Sequence, residues 1–363
     1  METINKNEYL IIIFFLMRSF ILGLSLKSIY IIANQDAWIS ILVASILGLI
    51  PLIIYYQLLN HDSKLNINGL IDKYFNKFFA FIFKLLLIMF FIFHISIILW
   101  SITNFVTSQY LYRTPLFAIL TALIIPVFYI VNKKLAIIGR ISIIFIMIVI
   151  VLFTFSFLFL LGDINLHNSL PIFEYGATPI LSASINSISY TILPVFAILI
   201  IPKDNIKNNK KLFSSIIKVY IISYIAIFII VFMIINIFGI NLTLFYEFPE
   251  YNVLKLINIG NFIQRVESIF SFQWFFDITI ANVLFIYYIK NTIKETYKLN
   301  KKWDKYITFL ISTIVVILAR NIFENNTIAS IFIKNIYKYI VIFFLLIIPT
   351  IILLTCKIRK NKV

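Results

Sequence analysis

The sequence predicts an all-α polytopic membrane protein that crosses the bilayer ten times as a single integral membrane domain over residues 1–363. Three observations lead there. Hydrophobic residues make up 62% of the chain, against about 45–50% in soluble domains, and the mean hydropathy is +1.01. Apolar runs fall near 9–32, 37–59, 79–108, 114–132, 137–161, 178–202, 213–238, 260–289, 306–321 and 336–356, most of them close to the ~20 residues that cross a hydrocarbon core. The basic residues collect in the gaps between these runs. With the N-terminus inside, 21 Lys and Arg fall in cytoplasmic segments and 7 in external ones, while Arg18, Lys84 and Lys218 lie within or at the rim of a run. That bias predicts both termini in the cytoplasm and an even number of crossings.

The first run follows Glu2, Lys6 and Glu8, has no small-residue cleavage site and is interrupted by Arg18, so it reads as a retained helix and not a secretion signal. Arg18 cannot face lipid cheaply. Ser19, Gly23 and Ser25 beyond it permit close backbone approach. Between runs 2 and 3, "INGLIDKYFNKFFAF" alternates apolar and basic residues at helical spacing, which predicts a short amphipathic helix on the cytoplasmic surface. In run 3, Ser101, Asn104 and Ser108 share a helical face that could line a cavity.

The sixth run, "ILSASINSISYTILPVFAILIIP", places Ser182, Ser184, Asn186, Ser187, Ser189, Tyr190 and Thr191 ahead of Pro194. A polar, proline-interrupted span has the form of a discontinuous substrate-binding helix; the same residues also serve as packing contacts between helices. The loop after run 7, "GINLTLFYEFPEYNVLKLINIG", is long and aromatic and, with Pro249, predicts a partly ordered lid or interfacial segment. In run 8, Gln273 and Asp277 lie one turn apart, and a buried Asp277 needs a cationic partner, by type Arg18 or Lys84. Cys356 is the single cysteine, so no intramolecular disulfide forms. Lipidation and an inert thiol are its two readings, the second favoured.

Several function classes fall away. None of His61, His94 and His167 has an acid four residues on, no His/Cys/acid set has metal spacing, and eight scattered glycines build no phosphate loop. The chain is therefore expected not to be an enzyme and to carry neither metal nor cofactor. Despite a net charge of +16, the basic residues form no patch interleaved with aromatics, so no nucleic-acid partner is expected. His94 is either a proton-relay group or a hydrogen-bonded structural histidine. Irregular first and sixth spans, five apart, suggest a five-plus-five inverted repeat. That is the architecture of amino-acid/polyamine/organocation transporters, with discontinuous helices 1 and 6.

Two motifs sharpen the picture. "NQDAWIS" directly after span 1 and "INIGNFIQRVESIFSFQW" leading into span 8, with Phe262, Arg265, Glu267 and Trp274, resemble segments of the spore germination permease family. The resemblance implies the membrane B-subunit of a nutrient germinant receptor in the spore inner membrane, assembled with a soluble-domain subunit and a lipoprotein. Physically, Asp36 is placed to cap the second helix and Trp38 to mark the outer interface, while Arg265 and Glu267 are expected to fix the outer loop. The family's Gly-x-Gly and Gly-x-Glu breaks align with Ser19–Ile21 and Leu193–Val195, where this chain has neither motif. The expected ligand is a small nutrient, by resemblance an amino acid. It would be held between helices 1, 3, 6 and 8 by residues drawn from Ser19, Gly23, Ser101, Asn104, Asn186, Ser189, Tyr190, Thr191 and Asp277. A proton-coupled amino-acid or polyamine transporter and a non-binding scaffold subunit are the alternatives.

Overall fold

A computed structural model describes residues 2–21, 24–257 and 267–360. Glu8 reaches back to the Asn5 amide at 3.0 Å, one arm of a capping box that starts α1 (Lys6–Arg18). The helix stops at Arg18, and α2 (Leu24–Ala33) resumes beyond Ser19 and Phe20. A 3-10 turn at Asn34–Asp36, with Asn34 at φ 48°, redirects the chain into α3 (Ala37–Leu47) and α4 (Leu49–His61). The predicted amphipathic helix is present as α5 (Ile67–Tyr74), capped by Asn66, and Asn76 caps the long α6 (Lys77–Gln109).

α7 (Leu116–Val131) and α8 (Leu135–Leu160) follow. α9 (Ala177–Tyr190) ends before Pro194, and the chain continues as a 3-10 helix over Leu193–Ile200, every residue of it buried. Proline fits that first turn because its missing N–H would have no partner there. α10 (Leu212–Phe245) is kinked at Gly239, whose φ of 68° suits glycine. The kink lies beside the loop between α8 and α9, whose Asn165 amide and Asn168 side chain both donate to the Asn236 carbonyl at 2.9 Å. The loop after α10 holds α11 (Pro249–Leu254), the ordered element expected there.

α12 (Glu267–Tyr297), α13 (Asp304–Asn321) and α14 (Asn326–Phe332) come next. Two π-helical turns, Ile333–Tyr337 and Phe343–Ile347, then flank α15 (Lys338–Ile342) before α16 (Ile348–Lys360). Helix therefore begins ten residues before the predicted last run, because Asn325 supplies a cap to the Ile328 amide. A two-residue parallel pair, β1 (Ile4–Asn5) with β2 (Ile206–Lys207), ties the N-terminal segment to the loop before α10.

Seven helical stretches among the described residues are long and apolar enough to cross a membrane: Ser25–His61, Lys77–Gln109, Leu135–Asp163, Ala177–Ile200, Leu212–Phe245, Glu267–Tyr297 and Asn326–Arg359. The Ala177–Ile200 stretch is the most enclosed of them, so it forms the middle of the bundle. On the Lys-rich face, Lys73 meets Asp62 at 2.9 Å and holds its carboxyl below the usual carboxylate range. Cys356 is buried, which disfavours lipidation.

Close packing of α1 on α8 depends on Gly139, where an added Cβ would approach the Glu8 side chain to 2.7 Å. Gly139→Ala is expected to destabilise the protein by about 1–3 kcal/mol, the usual cost of overpacking. Gly162→Ala, at a glycine with nothing within 4 Å, should leave stability near the parent's. Thermal unfolding of the two variants in one detergent checks the pair.

Candidate functional site

The two interrupted spans meet at the centre of the bundle. The turn after α1 presents Phe20, whose ring packs 5.4 Å from Tyr190 at the end of α9, 5.2 Å from Tyr337 in the first π turn and 5.8 Å from His94 midway along α6. His94 is fully buried; its Nδ1 hydrogen-bonds the Tyr337 hydroxyl and its Nε2 has no partner among the described residues. Phe285 and Phe91 close the other side, at 4.9 and 6.4 Å from the His94 ring. Aromatic side chains thus fill the place where the breaks converge.

Among the described residues, backbone carbonyls beside the breaks find donors within the chain. Ser19 donates to the Leu16 carbonyl at 2.9 Å, Ser25 donates to the Phe20 carbonyl, and the Ile21 amide donates to Arg18 at 3.1 Å. At the sixth-span break, Thr191 donates to Ser187 at 2.8 Å and meets the Tyr224 hydroxyl of α10 at 2.9 Å. Each π turn leaves carbonyls off the regular ladder, and polar residues from other helices claim them. Tyr190 donates to Ile333 at 3.0 Å while sharing a hydrogen bond with Ser28 at 3.2 Å. Asn186 reaches Lys334 at 3.4 Å, and Tyr55 donates to both Leu345 and Leu193.

Beside the first break lies a buried ion pair. Arg18 Nη2 stands 3.1 Å from Asp277 Oδ2 and donates to Gln273 Oε1 at 3.1 Å, and Arg18 and Asp277 are both almost fully enclosed. The Phe14 and Phe153 rings flank the guanidinium at 5.2 and 5.8 Å, an arrangement that suits its weakly hydrated plane. Lys84 turns away to Asp72 at 2.6 Å, so Arg18 is the partner that Asp277 takes.

The predicted site residues divide into two groups. Ser19, Tyr190, Thr191 and Asp277 adjoin the convergent breaks. Asn186 and Ser189 face backbone, the latter donating to Ile185. Ser101 is buried in α6, and Asn104 meets Glu247 at 3.4 Å toward the outer loop. Gly23 and Arg265 lie outside the described residues. Glu267 is buried in the first turn of α12, where a carboxylate is favoured by the helix dipole.

The expected cap at Asp36 is corrected: its side chain makes no cap hydrogen bond to α3. The 3-10 turn feeds α3 directly, and the carboxylate instead accepts the Phe173 amide at 3.0 Å. Gln35 acts alongside it, donating to Glu174 at 2.6 Å and to the Pro171 carbonyl at 3.0 Å. The motif is a clamp on the loop between α8 and α9. Trp38 packs edge-on against Phe228 and Phe232 of α10, with its indole N–H unpaired among the described residues. Phe20 and Tyr337, the residues nearest the centre, were missed: both sit in apolar runs with no polar signal.

Cavities flank the aromatic centre unequally. On the Lys-rich face a cavity of about 390 Å³ opens between Ile201, Tyr287, Lys290 and Leu135. On the other side, one of about 50 Å³ lies between Ile21, Gln273 and Trp274. Among the described residues no group of three or more His, Cys, Asp or Glu could hold a metal ion.

This architecture is that of helical membrane transporters. A Na⁺-coupled sialic acid symporter in a substrate-bound outward-open state superposes with a TM-score of 0.64 at 12% identity, covering 95% of this chain and 79% of that one. A variant of the Eremococcus coleocola manganese transporter superposes with a TM-score of 0.57 at 14% identity, covering 96% of this chain and 78% of that one. The chain belongs to the spore germination protein family of spore permeases, whose profile matches residues 9–328. Spore germination protein KB of Bacillus subtilis (strain 168) is 20% identical over 240 residues, or 66% of this chain. The match covers 64% of that relative's length, a little under two thirds.

Removing one partner of a buried ion pair strands the other. Arg18→Gln and Asp277→Asn are each expected to lower stability by about 3–5 kcal/mol, and the double variant to lose less than the sum of the two. A double-mutant cycle of thermal unfolding in detergent measures the coupling.

Proposed function

We propose that this chain is the nutrient-sensing membrane subunit of a spore germination receptor, with an amino acid as ligand. In this reading the chain crosses the spore inner membrane ten times as a five-plus-five repeat, with both ends cytoplasmic, and signals to a soluble-domain subunit and a lipoprotein. The supporting observation is the buried Arg18–Asp277 pair beside the first break, two residues before the plug at Phe20. An amino-acid zwitterion offers a carboxylate to Arg18 and an ammonium to Asp277, exchanging one ion pair for two. Phe20 occupies the space the ligand needs, so binding requires its ring to leave. Ligand and ring then select different arrangements of spans 1, 6 and 10, and such differential affinity is what drives a two-state switch.

Secondary transport is the second reading, favoured by the symporter fold. Radiolabelled amino-acid uptake into vesicles containing this chain alone, abolished by Asp277→Asn, would establish transport. Saturable binding without uptake supports sensing, and absence of binding across the common amino acids to a folded receptor complex supports a scaffold.

Phe20→Ala removes the competing ring and is expected to tighten ligand binding roughly tenfold, ~1.4 kcal/mol. Scintillation proximity binding on protein in nanodiscs measures the shift, and unchanged affinity would exclude Phe20 as a plug.

A further inference from the structure

The ligand reading above leaves the large cavity on the Lys-rich face unused. Six lysines and three acids line it, and its volume of about 390 Å³ is that of a small-molecule site. The acids are already committed. Glu2 accepts the Leu135 amide at the start of α8 at 2.7 Å, Asp304 pairs with Lys294, and Glu295 accepts from Asn66 and Asn68 at 2.8 Å each.

Lys290 is the unusual member of the wall. It is only 3% exposed, yet its Nζ makes one hydrogen bond, to the Val131 carbonyl at 2.8 Å, and otherwise faces the Tyr287 ring at 5.1 Å. No carboxylate among the described residues forms an ion pair with it. A buried ammonium with one carbonyl acceptor is poorly compensated, and two of its three N–H donors remain for a ligand. Lys134 and Lys301, both exposed at the mouth, add charge of the same sign.

We propose that this vestibule binds a small multivalent anion, a phosphorylated or polycarboxylated metabolite, with Lys290 at its base and Lys134 and Lys301 at its rim. Two or more negative charges match the surplus of lysines. A zwitterionic amino acid does not, because its ammonium would meet the same lysines. The site is thus chemically distinct from the one between Arg18 and Asp277.

Calorimetric titration of the full chain in a neutral detergent tests this, with pyrophosphate and citrate as probes. Saturable 1:1 binding is expected, with acetate at matched ionic strength giving none. Lys290→Gln should weaken binding at least tenfold, while Lys338→Gln, away from the cavity, leaves it unchanged. Should Lys290→Gln fail to fold, the exposed pair Lys134→Gln with Lys301→Gln carries the same expectation. A response that tracks ionic strength alone, or equal binding by the lysine variants, overturns the proposal. So does stabilisation seen only in nanodiscs of anionic phospholipid, which would assign the lysines to lipid headgroups.

Discussion

In an apolar interior every backbone amide and carbonyl must find a partner inside the protein, and most of the polar residues in this bundle answer to that demand. Helix 1 is broken after Arg18, helix 6 after Tyr190, and the last helix loosens into two π turns. Each irregularity frees carbonyls where water is absent. Ser19, Ser25, Thr191, Tyr190, Asn186 and Tyr55 supply the donors. The hydroxyl-rich sixth span is therefore partly a set of caps for other helices' defects, which explains how a polar sequence is enclosed more completely than its apolar neighbours.

The same demand explains why the centre holds rings and a single ion pair. With the carbonyls claimed by hydroxyls, the remaining space is best filled by aromatic surface, and Phe20, Tyr190, Tyr337 and His94 fill it in tilted and stacked contacts. Arg18 lies one turn short of this cluster, where its charge is matched by Asp277 and its plane by two phenylalanines. The result is a closed core with a wide cavity on one side and a narrow one on the other. The wider cavity reaches Tyr287 and Lys290 from the Lys-rich face.

How much of this the sequence revealed depended on the physical signal each residue carries. The long apolar runs, the break near Arg18 and the isolation of Asp277 were legible because charge and length in a hydrophobic chain have few explanations. The pairing of Asp277 with Arg18 rather than Lys84 was left open, since only geometry sends Lys84 out to Asp72. Asp36 was read as a cap because a local rule was available; its true partner, Phe173, is 137 positions away. Pro194 pointed to a break, but the α-helix ends at Tyr190 and the chain tightens into a 3-10 helix before the proline acts. The π turns and the plug at Phe20 have no compositional signature, because nothing in the residue types of Ile333–Tyr337 (Ile-Lys-Asn-Ile-Tyr) or Phe343–Ile347 marks a π turn and Phe20 looks like any aromatic of an apolar run.

The network also limits how the bundle can rearrange. The Tyr190 hydroxyl joins Ser28 in α2 to the Ile333 carbonyl in the first π turn, so α2, α9 and that turn share one hydrogen-bonding centre. Thr191, the next residue, ties the same break to Tyr224 in α10. Rocking α2 away from α9 breaks the Ser28 contact but leaves the carbonyls capped by Ser25 and Tyr190, so little backbone polarity is stranded. Separating α9 from the π turn, by contrast, takes the Tyr190 hydroxyl off the Ile333 carbonyl. The Ser28 contact beside the first break is therefore the one whose loss strands least, and the Tyr190–Ile333 bond ties α9 to the first π turn. Under the proposed sensing role, a ligand that supplies a donor at that break would bias its equilibrium.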